Sequence, residues 1–270
     1  MSGVVFQHTL RRGLRPALIW GVVTAFFANY VLFITPNMEG LQGFVAVFEA
    51  MPKVLLQAFG LTDVRVLATP EGFVGLAYFT YAAIVMAIYA VSAGMSITAN
   101  DEENGIMNMV LALPVSRWSI VIEKALAQTL LAMLVCGIGF AGFAMGTRFN
   151  PVVSGLDLGR SAEVFAALWT LILAVMGITI ICGVIIRRRG AAVAAVTGYL
   201  VVSYIAFTLG SLAGDTVGPI LERLSVFSYF DGGEILRHGL DVIAPLMMAV
   251  VGAVLIGCAA RLYERRDISG

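Results

Sequence analysis

Asp101, Glu102 and Glu103 stand in a row, followed by Gly105, a short apolar run, then Pro114, Ser116, Arg117 and, further on, Lys124. This cassette, residues 100–124, is the most polar interruption in the middle of a chain that is 60% hydrophobic and only 13% charged. Side chains of these types can move protons, or they can pair with opposite charges on a partner. Proton chemistry lacks its usual companions. The two histidines, His8 and His238, lie far from the cassette in sequence, and neither H-E-x-x-H nor G-x-S-x-G occurs. The two lysines, Lys53 and Lys124, do not follow a glycine, which excludes a P-loop and with it the usual Walker route to ATP hydrolysis. Cys136, Cys182 and Cys258 are too far apart to form the close pairs of a zinc site. Residues 137–142 spell G-x-G-x-x-G inside an apolar run, where no strand precedes a helix. Those glycines, with Gly142-x-x-x-Gly146, read as positions where helices approach closely. No catalytic residue, metal site or cofactor is predicted for this chain.

The elements around the cassette are apolar. Mean hydropathy is +0.93, whereas a soluble domain is nearer half apolar and a quarter charged. Six runs are long enough to cross a bilayer: 16–34, 73–99, 125–146, 164–186, 191–213 and 242–262. They predict an all-α polytopic membrane protein forming one domain over residues 1–270. The first run is too long for the core of a signal peptide, so it reads as an uncleaved anchor. With the N-terminus inside, the inner segments carry Arg11, Arg12, Arg15, Arg117, Lys124, Arg187, Arg188, Arg189, Arg261, Arg265 and Arg266. The outer loops carry only Lys53, Arg65, Arg148, Arg160, Arg223 and Arg237. The positive-inside rule therefore puts both termini and the cassette in the cytoplasm, and His8 and His238 on opposite sides. No span has an obvious ionisable group near its centre, which counts against ion-coupled transport.

Two outer loops have patterns of their own. In residues 35–72, Leu41, Phe44, Val45, Phe48, Leu55 and Phe59 recur at roughly helical spacing, which predicts a short amphipathic helix, or two broken at Pro52, at the outer interface. Residues 214–241 are too polar to span and too apolar for a free linker, which predicts a re-entrant or interfacial element.

Within the cassette, Ile106, Met107, Val110, Leu111 and Leu113 form an apolar stripe too short to cross a membrane. Pro114 ends that helix at Leu113, and Ser116 is placed to cap the next one. The outcome is a short amphipathic helix between spans two and three. It either lies on the lipid with Trp118 as anchor, or takes a push from a cytoplasmic partner. Three acids sit poorly against an anionic inner leaflet.

The stretch EENGIMNMVLALPVSRWSIVIEK resembles the signature of the ABC-2 type permeases, the membrane subunits of one class of ATP-binding-cassette exporter. The matching positions are Glu103, Gly105, Leu111, Leu113, Pro114, Ser116, Arg117 and Lys124, while Ile106 stands where that family often has threonine. LSVFSYFDGGEIL before the last span extends the likeness to most of the chain. The resemblance implies that the cassette is a coupling helix docking in a separate ATP-binding subunit. Its interface would comprise Glu102, Glu103, Gly105, Met107, Val110, Leu111, Pro114, Ser116 and Arg117. It implies two permeases, identical or homologous, above two ATPase subunits that hold the ATP and Mg, all in the cell membrane, surrounded by lipid and with no nucleic acid. ATPase closure would tilt spans one, two and five. Residues 6–15 would be a second cytoplasmic contact or a basic interfacial helix.

Polar side chains mark a possible transport path. Span five bears Thr197, Tyr204, Thr208 and Ser211 on one helical face. Span two bears Tyr78, Tyr81, Tyr89, Ser92 and Ser96. These would line a weakly polar path for an amphiphilic or neutral cargo, or else bond back to their own helices with the tyrosines at the interface. Besides an exporter subunit, a membrane scaffold or assembly factor and a transporter working without an ATPase also fit the residues.

Overall fold

The structure, a computed structural model, describes residues 3–52, 55–56, 64–98, 116–186, 188–210 and 214–265. Six of its helices are long and apolar enough to cross a membrane: α1 (Val4–Ile34), α3 (Pro70–Met95), α4 (Arg117–Gly146), α5 (Leu158–Ile185), α6 (Arg189–Gly210) and α9 (Ile243–Arg265). Between them lie α2 (Met38–Glu49), α7 (Gly214–Leu224) and α8 (Gly232–His238). Among the described residues there is no strand. The chain is an all-helical, multi-pass membrane protein.

Several helices run past the apolar limits read from the sequence. The first begins at Val4 rather than 16, passing through Pro16. The third span begins at Arg117 rather than 125, and the fourth at Leu158 rather than 164. Hydropathy marks only the lipid-facing stretch, whereas charged and polar residues can extend a helix past it once it is nucleated. The second span stops at Met95, short of 99, with Ser96 to Thr98 in a turn.

Local chemistry sets the starts. Thr69 accepts a hydrogen bond from Gly72 N with Pro70 in the first turn of α3. Asp157 caps α5 and Asp231 caps α8 in the same way. Asn37 caps α2, which ends before Pro52. Gly239, at φ 92°, closes α8 in the left-handed region that favours glycine. Ser116 stands at the cap position of α4, but its side chain makes no capping bond. Ser119 Oγ donates instead to the Ser116 carbonyl, at 2.8 Å.

Neighbour contacts fix the direction of each span. α1 and α4 run parallel. Glu123 accepts from the backbone N–H of Gly3 and Phe6 at one end, at 3.2 and 3.1 Å. Asn150 Nδ2 donates to the Leu32 and Thr35 carbonyls at the other, at 3.0 and 2.9 Å. Between those ends Asn29 Nδ2 donates to the Gly142 carbonyl at 2.8 Å. α5 runs parallel to α3, Gly94 lying on Thr179 and Gly183 on Thr98, and parallel to α9, Gly252 lying on the Leu173 carbonyl. The end of α3, the start of α4, the turn from α5 to α6 and both ends of the described chain therefore share one face, called here the cassette face. Arg188, Arg189, Arg261 and Arg265 lie toward it, as does the first half of α1 with Arg11, Arg12 and Arg15.

α5 is the hub, packed against α3, α4, α6, α8 and α9. In lipid the hydrophobic effect does not draw helices together, so close packing and polar contacts must. A Cβ at Gly142 would sit 2.3 Å from the Ala25 side chain, and one at Gly252 would sit 2.7 Å from the Leu173 oxygen. The glycine run of α4 is thus a packing surface, as its sequence context implied, although Gly137 faces open space. Tyr78, Phe79, Phe143 and Phe165 interlock at the centre, with ring centroids 4.8–6.4 Å apart. Edge-on pairs of this kind each add roughly 0.5–1.5 kcal/mol beyond burial.

Candidate coupling and transport site

Of the cassette, Glu102, Glu103, Gly105, Met107, Val110, Leu111 and Pro114 lie outside the described residues, as does the side chain of Arg117. What the structure describes is the two roots from which the cassette springs. One is the polar turn after α3; the other is the first turns of α4. They are joined by buried polar contacts. Lys124 is only 5% exposed, and its Nζ donates to the Ile97 carbonyl at 3.2 Å. A cation near the carboxyl end of a helix is favoured by the partial negative charge there. One turn further along α4, Gln128 Nε2 donates to Ser96 Oγ at 2.9 Å, and Ser96 Oγ donates to the Ala93 carbonyl at 2.6 Å. These contacts join α3 to α4 at the two roots.

The same stretch of α4 also grips α1. Glu123, next to Lys124, accepts through one carboxylate oxygen, Oε2, from two N–H groups that the start of α1 cannot satisfy within its own helix. Residues 123–128 therefore tie three spans together at the cassette face. Lys124 was visible in the motif. Glu123 and Gln128 were not, because a carboxylate or an amide on an apolar helix gives no sign of its partner. Residues 6–15 belong to α1 itself rather than to a separate interfacial helix.

The polar side chains of spans two and five do not form one continuous stripe. Tyr89 is buried and packs edge-on against Trp20, with centroids 5.9 Å apart. Tyr78 is in the aromatic core. Ser92 is exposed, and with Tyr81 and Ile88 it lies along the open side of α3. On α6, Thr197 is exposed while Tyr204 and Thr208 are half-buried. Thr208 Oγ1 donates back to the Tyr204 carbonyl at 2.8 Å. The Tyr204 ring stands edge-on to Phe227, at 5.7 Å. Ser211 lies outside the described residues. α3 and α6 are neighbours, and Tyr81, Ser92 and Thr197 are exposed residues of these two helices.

Ser203, absent from the sequence-derived set, turns out to matter for the loop after α6. Its Oγ accepts from Val226 N at 2.9 Å and lies 3.2 Å from Ser225 Oγ. Ser203 sits seven residues before the end of α6, about 10 Å along the axis. The chain after α7 thus returns well inside the span before α8 climbs back. At the top, Arg160 donates to the Leu236 carbonyl at 3.3 Å and to that of Arg237, and Glu163 accepts from Leu240 N at 2.9 Å. The 214–241 segment is re-entrant, one of the two forms its composition allowed.

Among the described residues no group of histidine, cysteine and acidic side chains is arranged to hold a metal. With this geometry in hand, comparison with known families is decisive: the profile of the ABC-2 family transporter proteins matches residues 4–268, nearly the whole chain. The chain belongs to the ABC-2 transporter family. No curated protein matches it in sequence. ABC-2 membership makes this polypeptide the membrane component of a transporter and implies pairing with an ATP-binding subunit. ABC-2 permeases are transport components, generally not catalytic themselves.

Proposed function

We propose that the protein is the permease subunit of an ATP-driven exporter in the cell membrane, and that its 100–116 segment is the coupling helix. The cassette face is then cytoplasmic, in keeping with the basic residues that collect there. Two copies of an ATP-binding subunit, carrying ATP and Mg, act on two permeases, identical or homologous. Glu102 and Glu103 meet polar or basic groups of the ATPase. Met107, Val110 and Leu111 fill its apolar groove. Gly105, Pro114, Ser116 and Arg117 set the turn and its exit into α4.

The observation that carries this reading is the polar fastening at the cassette roots, Lys124 to Ile97 and Gln128 to Ser96. A loop merely resting on lipid has no need of a buried lysine joining its two ends. A lever does, because a push on one root must not be lost in relative motion of the spans. The exposed residues Tyr81, Ser92 and Thr197 of α3 and α6 are natural contacts for the second permease. Their uncharged, weakly polar character suits an amphiphilic or neutral cargo.

The test is co-purification of a P-loop ATPase with this chain, followed by measurement of its hydrolysis rate in the complex. Glu103→Arg or deletion of residues 106–113 is expected to abolish the permease-dependent part of that rate. Cargo movement by the lone chain in liposomes, driven by an ion gradient, would overturn the proposal. Stable complexes with neither ATP dependence nor cargo movement would favour a scaffold.

A further inference from the structure

A cavity of about 240 Å³ lies between α5, α6, α9 and the re-entrant segment. Its walls include Ile178, Met247 and Val251, with Tyr199, Tyr229 and Arg223 supplying the polar edge. No residue of α1 or α3 lines it, so it is separate from Tyr81 and Ser92 of α3. Tyr199, Met247 and Val251 are 37%, 45% and 50% exposed, so the cavity opens sideways rather than toward either end of the spans.

Its depth makes Arg223 unusual. Tyr199 Oη donates to the Leu224 carbonyl at 3.3 Å. Tyr199 is eleven residues before Gly210, which places the contact about 16 Å along the axis from the end of α6. On α9 the lining residues lie one to two turns inside the helix. The rim thus sits at span depth, where an arginine needs an anion or water close by. Among the described residues Arg223 has no ion-pair partner. Its backbone is held: Tyr229 Oη donates to the Arg223 carbonyl at 3.0 Å.

We infer that this cavity is a lateral binding site for an anionic membrane lipid, one acyl chain lying against Ile178, Met247 and Val251 and the phosphate on the Arg223 guanidinium. The volume favours a chain segment over a whole cargo molecule, since sites enclosing drug-sized ligands run to roughly 300–1,000 Å³. Charge decides between lipid classes. A zwitterionic headgroup brings its own cation to Arg223, whereas an anionic one does not.

The test uses the full chain in nanodiscs of phosphatidylcholine, doped with trace phosphatidylglycerol or phosphatidylcholine that carries a photoreactive acyl chain. Cross-linked peptides are mapped by mass spectrometry. The anionic probe should label residues 224–229 and 247–251 about fivefold more than the zwitterionic one, the effect of one basic residue near an anionic headgroup. Arg223→Gln should erase that preference, Arg223→Lys should keep it, and Val251→Trp should block both probes by filling the cavity. Labelling on the exposed side of α1, at Phe26 and Phe33, should not change in any variant and reports an intact fold. Equal labelling by the two probes, a preference that survives Arg223→Gln, or no labelling of either segment would overturn the inference. The last result would mean that another chain covers the cavity.

Discussion

Lys124 shows how one side chain can join two spans. It is almost fully buried at the foot of α4, where it caps the chain leaving α3. A hydrogen bond to a charged group is worth about 1.5–3 kcal/mol, so Lys124→Met should destabilise the protein by about that much. Thermal unfolding in detergent would register it. If the cassette works as a lever, the same variant should also lose permease-dependent ATP hydrolysis while still binding the ATPase subunit. Two glycines of α4 offer a matched pair. Gly142 faces Ala25 at a separation that leaves no room for a Cβ, whereas Gly137 faces open space. Gly142→Val should therefore cost about 1–3 kcal/mol through overpacking, whereas Gly137→Val should leave the unfolding temperature nearly unchanged. Equal effects at the two positions would contradict the parallel packing of α1 on α4.

Individual elements differ in how they are held. The spans rest on small-residue packing and aromatic contacts, but the re-entrant segment hangs on a few polar ties. Arg160 and Glu163, at the start of α5, hold the backbone around α8. Replacing both, Arg160→Gln with Glu163→Gln, should speed amide hydrogen exchange across residues 225–241. Exchange in the middle of α4 should stay as it is. Exchange that rises equally in both would place these residues in the general fold rather than in a local clamp. These ties also mark where sequence reasoning stops. Six spans were legible because apolar runs of about 20 residues have few other uses. The true starts of α1, α4 and α5 were not, because hydropathy ignores helical residues that reach into water. The path residues were legible only as types. Tyr89 and Ser92 lie three residues apart on α3, yet one is packed on Trp20 and the other is open. Which face a neighbour covers is a property of the assembled bundle. The composition around Arg223 leaves a re-entrant or an interfacial segment open, and contacts such as Ser203 to Val226 show how far it turns back along α6.

For the whole molecule, the two faces have different duties. The cassette face gathers the roots of the 100–116 segment, the start of α1 and most of the described basic residues. The opposite face carries α2, α8 and the mouth of the re-entrant loop. The ABC-2 reading needs the cassette face in the cytoplasm, where an ATPase can reach it. Everything proposed about power transmission depends on that orientation and on no other single fact. Single cysteines in a background lacking Cys136, Cys182 and Cys258 decide it. Glu103→Cys probes the cassette and Ser154→Cys, exposed between α4 and α5, probes the opposite face. With a membrane-impermeant maleimide on intact cells, Ser154→Cys should label at once, and Glu103→Cys only after the membrane is opened. Labelling of Glu103→Cys in intact cells would contradict the account.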